Sequence, residues 1–192
     1  MIPNFNTEKW PIVFLKLENN YEINDEIFDE YKKRYLSLLV SCKRKGTKIA
    51  LIVDINKFNN TENIPIKYIM KQVQFNKEIY KFNKEYVYCV CILCKSKTFK
   101  NLLNMYFAFT KPATPFKLCR SIEKANLFIK DKTNLNFDIS FFYNNETINY
   151  ISDNNDIDEE DSDNVNDYEE ETENINEDNL INDIEKFVIN NN

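Results

Sequence analysis

Runs of apolar residues, each closed by polar punctuation, divide the first 130 or so residues into alternating short and long segments. Pro11–Leu17 (PIVFLKL) is a short apolar run and predicts a strand. Asn24 is placed to cap a helix over about Asp25–Lys45. There Ile27, Phe28, Tyr31, Tyr35, Leu38, Leu39 and Cys42 recur at helical spacing. Asp25, Glu26, Asp29 and Glu30 fill its first turns and Lys43, Arg44 and Lys45 close it, which suits the helix dipole. Gly46 follows as the residue that ends the helix.

Lys48–Ile55 (KIALIVDI) is the strongest strand, and its unbroken apolar run predicts a central position covered on both faces. Asn59, Asn60, Thr61 and Asn63 mark a loop. Pro65 opens a helix to about Phe82, with Ile66, Ile69, Met70, Val73 and Ile79 among its apolar positions. Tyr86–Cys94 is a second buried strand. Ser96 caps a helix over about Lys97–Phe109, and a proline-punctuated loop leads to a strand at Phe116–Cys119. Ser121 then caps a last helix, Ile122 to Asp131. Alternation of this kind predicts an α/β fold: a four-to-five-stranded, mainly parallel sheet with helices packed on it.

The pattern then changes. Phe137, Ile139, Phe141 and Tyr143 alternate, and Asn144-Asn145 offers a two-residue turn, so residues 137–151 read as a C-terminal hairpin appended to a domain spanning 1–151. Residues 152–179 are Asp, Glu, Asn and Ser with few apolar positions, which predicts a disordered acidic linker. In 180–189, Leu180, Ile181, Ile184, Phe187 and Val188 return to helical spacing. They predict a short amphipathic helix whose apolar face would dock on a partner.

Charge is split along the chain. Residues 1–151 carry 24 Lys/Arg against 15 Asp/Glu, a net +9, while 152–192 carry one Lys against 16 acids, a net −15. A basic body joined to an acidic tail implies self-attraction or separate partners of opposite charge. Lys67, Lys71, Lys77, Lys81 and Lys84 lie on one predicted helix and its exit and form a candidate anion surface. Only three of the 25 cations are arginines, Arg34, Arg44 and Arg120. Bidentate base readout favours arginine, so a lysine surface suits phosphate backbones or anionic lipid instead.

Two absences narrow the chemistry. Without histidine there is no His-based triad and no HExxH zinc site. One glycine cannot build a P-loop, a GxGxxG turn or a GxSxG elbow. Cys89-x-Cys91-x-x-Cys94 is tempting as a metal motif. In a strand, however, Cys89 and Cys91 point to one face and Cys94 to the other, so these cysteines, with Cys42 and Cys119, are expected as buried reduced thiols. No metal, cofactor or enzymatic activity is expected. Asp54 ends the central strand, and ligands in open α/β sheets bind at the carboxyl ends of strands. Asp54, Asn56, Ser96, Lys97 and Thr98 are therefore a candidate ligand site; the competing reading is that Asp54 serves loop amides and Ser96 is an N-cap.

Three stretches resemble the STAS/SEC14-like (SpoIIAA-like) domain family over about residues 10–131. They are the acid-opened helix leading to Lys48-Ile-Ala-Leu-Ile-Val-Asp54, the strand followed by Lys95-Ser-Lys-Thr-Phe-Lys-Asn-Leu-Leu, and Pro112–Pro115 with Ser121-Ile-Glu-Lys-Ala125. The resemblance implies a regulatory or ligand-binding module rather than an enzyme. Members near SpoIIAA carry a phosphorylatable serine after the strand that ends in aspartate. Here the matching Asp54-Ile-Asn-Lys-Phe58 has none, and the nearest hydroxyl is Thr61.

The leading expectation is thus a non-enzymatic regulatory or protein-interaction module with an unidentified protein partner. The alternatives are an anion-binding protein for nucleic acid or acidic membrane, masked by its own tail, and a small-molecule or lipid carrier. The longest apolar runs fall far short of the roughly 20 residues that span a bilayer, and Met1–Trp10 is too polar for a signal peptide, so an intracellular location is expected.

Overall fold

A computed structural model of the chain describes residues 3–17, 23–57 and 64–143. Within them the order is β1 (Phe5–Asn6), β2 (Ile12–Lys16), α1 (Asp25–Lys45), β3 (Ile49–Asp54), α2 (Ile66–Glu78), α3 (Tyr80–Tyr86), β4 (Val87–Leu93), α4 (Lys97–Phe109), β5 (Phe116–Cys119) and α5 (Ile122–Thr133). A 3-10 turn over Ile139–Tyr143 follows. The fold is α/β.

The helix ends follow the local chemistry. Asn24 Oδ1 accepts from the Ile27 amide, and Ser96 and Ser121 hydroxyls accept from the Phe99 and Lys124 amides. Each satisfies a first-turn amide that has no carbonyl partner within the helix. Gly46 ends α1 in the left-handed region, φ 60°, and its amide reaches the Lys43 carbonyl.

The sheet runs β1-β2-β3-β4-β5. Only the short β1 is antiparallel, pairing Phe5 with Leu15 on the edge of β2. The other strands are parallel and lie side by side in chain order, with Phe14 beside Ile52 and Ile52 beside Cys91. Right-handed crossovers between strands laid down in order place every connecting helix on the same face. Accordingly α1, α2 and α3 pack on the face of Val13, Ile49, Leu51 and Val87. The opposite face, with Ile12, Phe14, Ala50, Ile52, Cys89 and Cys91, is covered by α5 and the 3-10 turn. Ile52 is fully enclosed between the two layers.

Three local features depart from the periodicity. The helix expected to run from Pro65 to Phe82 is interrupted at Ile79 (φ −102°, ψ 12°) and resumes at Tyr80. Phe75, Ile79 and Phe82 keep helical spacing across the joint and all bury in the core, which is why the apolar pattern carries no trace of the interruption. In β4, Ile49 pairs with Val87 and Ala50 with Cys89, so Tyr88 is a bulged residue, and it is partly exposed.

The third concerns the expected hairpin. Ile139–Tyr143 forms a 3-10 turn, not a strand, despite its alternation. Asp138 accounts for it: its side chain accepts from the Ser140 amide and its carbonyl from the Phe141 amide, while the Ile139 amide donates to Asn126 Oδ1 of α5. These bonds give the backbone a local alternative to a strand ladder. The return arm at 144–151, the acidic linker 152–179, Thr61, and residues 180–189 with Leu180, Ile181, Ile184, Phe187 and Val188 lie outside the described residues.

Candidate ligand cavity

Toward the amino ends of the strands the helical face is closely packed, with Leu39, Ile49 and Ile79 enclosed. Toward the carboxyl ends it opens. Val53, Val90, Ile92, Leu17 and Phe116 belong to the same face but are only half-buried. They form the floor of a cavity of about 380 Å³. Its walls come from α1 (Phe28, Tyr31, Tyr35) and α2 (Tyr68, Ile69, Gln72, Asn76), and its cover from α4. That volume lies in the range of small-molecule sites.

The cover is the unusual element. Among the described side chains of α4 none is buried, yet Phe99, Leu102, Leu103, Tyr106 and Phe107 all line the cavity. An amphipathic helix is stabilised in a domain by burying its apolar stripe. This one stands off from the sheet and holds a space beneath it. It is tethered at Ser96, at Asn76, whose amide donates to the Tyr106 hydroxyl, and by the Phe107 ring set edge-on to Phe116 at 4.8 Å.

Apart from Lys111, the polar side chains that line the cavity are uncharged, chiefly tyrosines and amides. Gln72 Nε2 donates to Asn76 Oδ1 (3.2 Å), and Asn76 in turn to Tyr106. Burial pushes the Tyr31 phenol up to about 12, and a hydrogen bond from Gln72 partly offsets this. Tyr106 is raised for the same reason, with Asn76 opposing. Tyr35 donates to Asn83 Oδ1 (2.9 Å), and burial holds its own pKa well above the usual range. Among the described lining residues the single charged one is Lys111, an exposed residue just beyond the end of α4.

No family model matches the chain, nor does any curated protein or solved structure.

The residues singled out at the strand ends do meet, but through structural bonds. Asp54 is buried; its Oδ1 accepts from the Asn56 amide (2.9 Å) and its Oδ2 from the Tyr143 hydroxyl (2.5 Å). Asn56 Oδ1 accepts from the Lys95 amide, and Ser96 caps α4. Lys97 and Thr98 are exposed in the first turn of α4. None of these five lines the cavity, although Val53, Ile55 and Phe99 beside them do. Strand alternation explains the miss: Asp54 turns to the α5 face while Val53 faces the helices.

The candidate anion surface is divided. Lys67 and Lys71 both approach Asp25 Oδ1, at 3.7 and 3.0 Å, and hold its carboxyl below the usual range, Lys71 most strongly. Lys77 is in the last turn of α2, and Lys81 and Lys84 are on α3. The Lys84 carbonyl accepts from the Lys48 ammonium (3.4 Å). All five cysteines are buried with free thiols. Cys89, Cys91 and Cys119 share the α5 face and Cys94 lies in a separate cluster. Among the described residues no helix is long and apolar enough to cross a membrane.

Sequence reasoning missed the cavity because its residues come from eight strands and helices. One signal was available. Gln72, Asn76 and Tyr106 are polar or amphipathic residues on the inward faces of helices, where a packed core would carry aliphatic ones.

Proposed function

We propose that this chain is a non-enzymatic, STAS-like intracellular module that binds an apolar small molecule between its sheet and α4. A single observation carries this reading: Phe99, Leu102, Leu103, Tyr106 and Phe107 of α4, none of them buried, lie over a half-buried apolar floor, with a cavity between. A molecule there would supply the packing partner that both surfaces lack. Bound ligand would also set the position of α4, whose exposed side could then report occupancy to a protein partner. The anion-binding reading draws less support, because Lys67 and Lys71 already gather on Asp25.

Native mass spectrometry of the full chain, purified from its source without detergent, tests the proposal. The expected result is a mass excess that organic extraction removes. Leu103→Trp, which fills the cavity from its cover, should abolish the excess and leave the domain folded. A ligand-free mass, together with no thermal stabilisation by any apolar compound, would overturn the proposal; saturating ligand should stabilise by about 2.7 kcal/mol at a hundredfold excess over Kd.

A further inference from the structure

We infer that the cavity selects an uncharged apolar molecule carrying a hydrogen-bond-acceptor oxygen, such as a ketone or ester carbonyl, which the phenol hydroxyl of Tyr106 recognises. The inference rests on the ligand-binding reading above and adds the chemical class.

The argument counts donors and acceptors. Asn76 Nδ2 donates to the Tyr106 oxygen, and its Oδ1 is occupied by Gln72. The Tyr106 oxygen is therefore an acceptor in this pair, and its own O–H proton remains to be given elsewhere. The chain of bonds Gln72–Asn76–Tyr106 thus ends in an O–H donor on the cover of a largely apolar cavity.

Charge then decides between acceptors. A carboxylate would also accept from Tyr106, but a largely apolar lining penalises a bound anion that has no cation beside it. The only charged described lining residue, Lys111, follows the end of α4 and is exposed. A neutral carbonyl takes the Tyr106 proton at no such cost.

The test compares three probes of matched length on the full chain: methyl hexyl ketone, its isosteric terminal alkene, and octanoate. Affinities come from ligand-detected NMR and thermal shift. The ketone is expected to bind tightest. Tyr106→Phe should weaken the ketone about threefold to tenfold, the size of one neutral hydrogen bond, and leave the alkene unchanged. A melting curve checks that the variant folds, and the comparison of ketone with alkene on the unaltered chain stands without it.

Equal binding of ketone and alkene would overturn the assignment. So would tightest binding of octanoate, lost in Lys111→Met, which would make the ligand an anion held at the rim. Both results would leave the cavity itself in place. Failure of all three probes would remove the ligand-binding reading along with this one.

Discussion

The Tyr143 hydroxyl donates a 2.5 Å hydrogen bond to Oδ2 of Asp54, joining residues 89 apart in the chain within the protein interior. It fixes the 3-10 turn against the carboxyl end of the central strand. Phe14 packs on the same place, stacked on Phe142 and edge-on to Tyr143. A strand-end aspartate is ordinarily tolerant of replacement; this one is not at a free end. Tyr143→Phe removes one partner of a buried carboxylate and should cost about 1–3 kcal/mol in urea unfolding, with the slope of the transition unchanged. Asp54→Ala combined with Tyr143→Phe should cost less than the two single changes added together, since both remove the same bond. Additive losses would show that the bond contributes nothing.

Ile52 lies between both layers and is wholly buried. Ile52→Asp puts a carboxylate there with no partner, a change of more than about 4 kcal/mol, and should abolish the cooperative melting transition. Ile52→Val, which keeps the shape, should cost about 1 kcal/mol. A normal melt for the aspartate variant would displace Ile52 from the sheet centre.

Burial pushes the Cys42 thiol up to about 11 and the Cys89 thiol to about 12. Native protein at about pH 8 should therefore resist iodoacetamide at all five positions, and denatured protein should label fully. Fast labelling of one cysteine in the native state would show local opening there.

The same shifts set the response to alkali. Cys42, Cys89 and Tyr31 hold their protons to higher pH when folded than their ordinary 9.0, 9.0 and 10.0. The unfolded chain therefore releases protons first, and stability falls as pH rises above about 9. With no histidine in the chain, no histidine titration perturbs the curve near neutrality. Urea midpoints across pH check both statements, and a curve flat past pH 10 would contradict the burial of these groups.

Gly46 has φ 60° and open space where a Cβ would stand. Gly46→Ala should cost about 1 kcal/mol from backbone conformation alone, and Gly46→Asn less, because asparagine tolerates the left-handed region. A neutral alanine variant would mean that α1 ends elsewhere in solution.

Much of this architecture was legible in the chain. Asn24, Gly46, Ser96 and Ser121 act where their side-chain chemistry places them, and Lys97–Phe109 and Phe116–Cys119 fall at the expected boundaries. What escaped has identifiable physical causes. Phe5–Asn6 is too short to show a period of two. The interruption at Ile79 preserves the apolar spacing around it, and the 3-10 turn imitates strand alternation until Asp138 and Asn126 claim its amides. For the cavity, the sequence shows that α4 has an apolar face. It does not show how far that face stands from the sheet, because distance between layers depends on the side chains of both.

Strand order has a consequence for how the protein comes into being. Because β2 to β5 lie side by side in the order in which they are made, each parallel strand leaving the ribosome finds its neighbour already present, and no pairing must wait for a distant segment. The helical layer can grow one βα unit at a time. The other face cannot: Ile12, Phe14 and Ile52 remain exposed until α5 and Tyr143 arrive. A nascent chain stopped before residue 122 would present a bare apolar sheet face, and such an intermediate is a natural client for a holding chaperone.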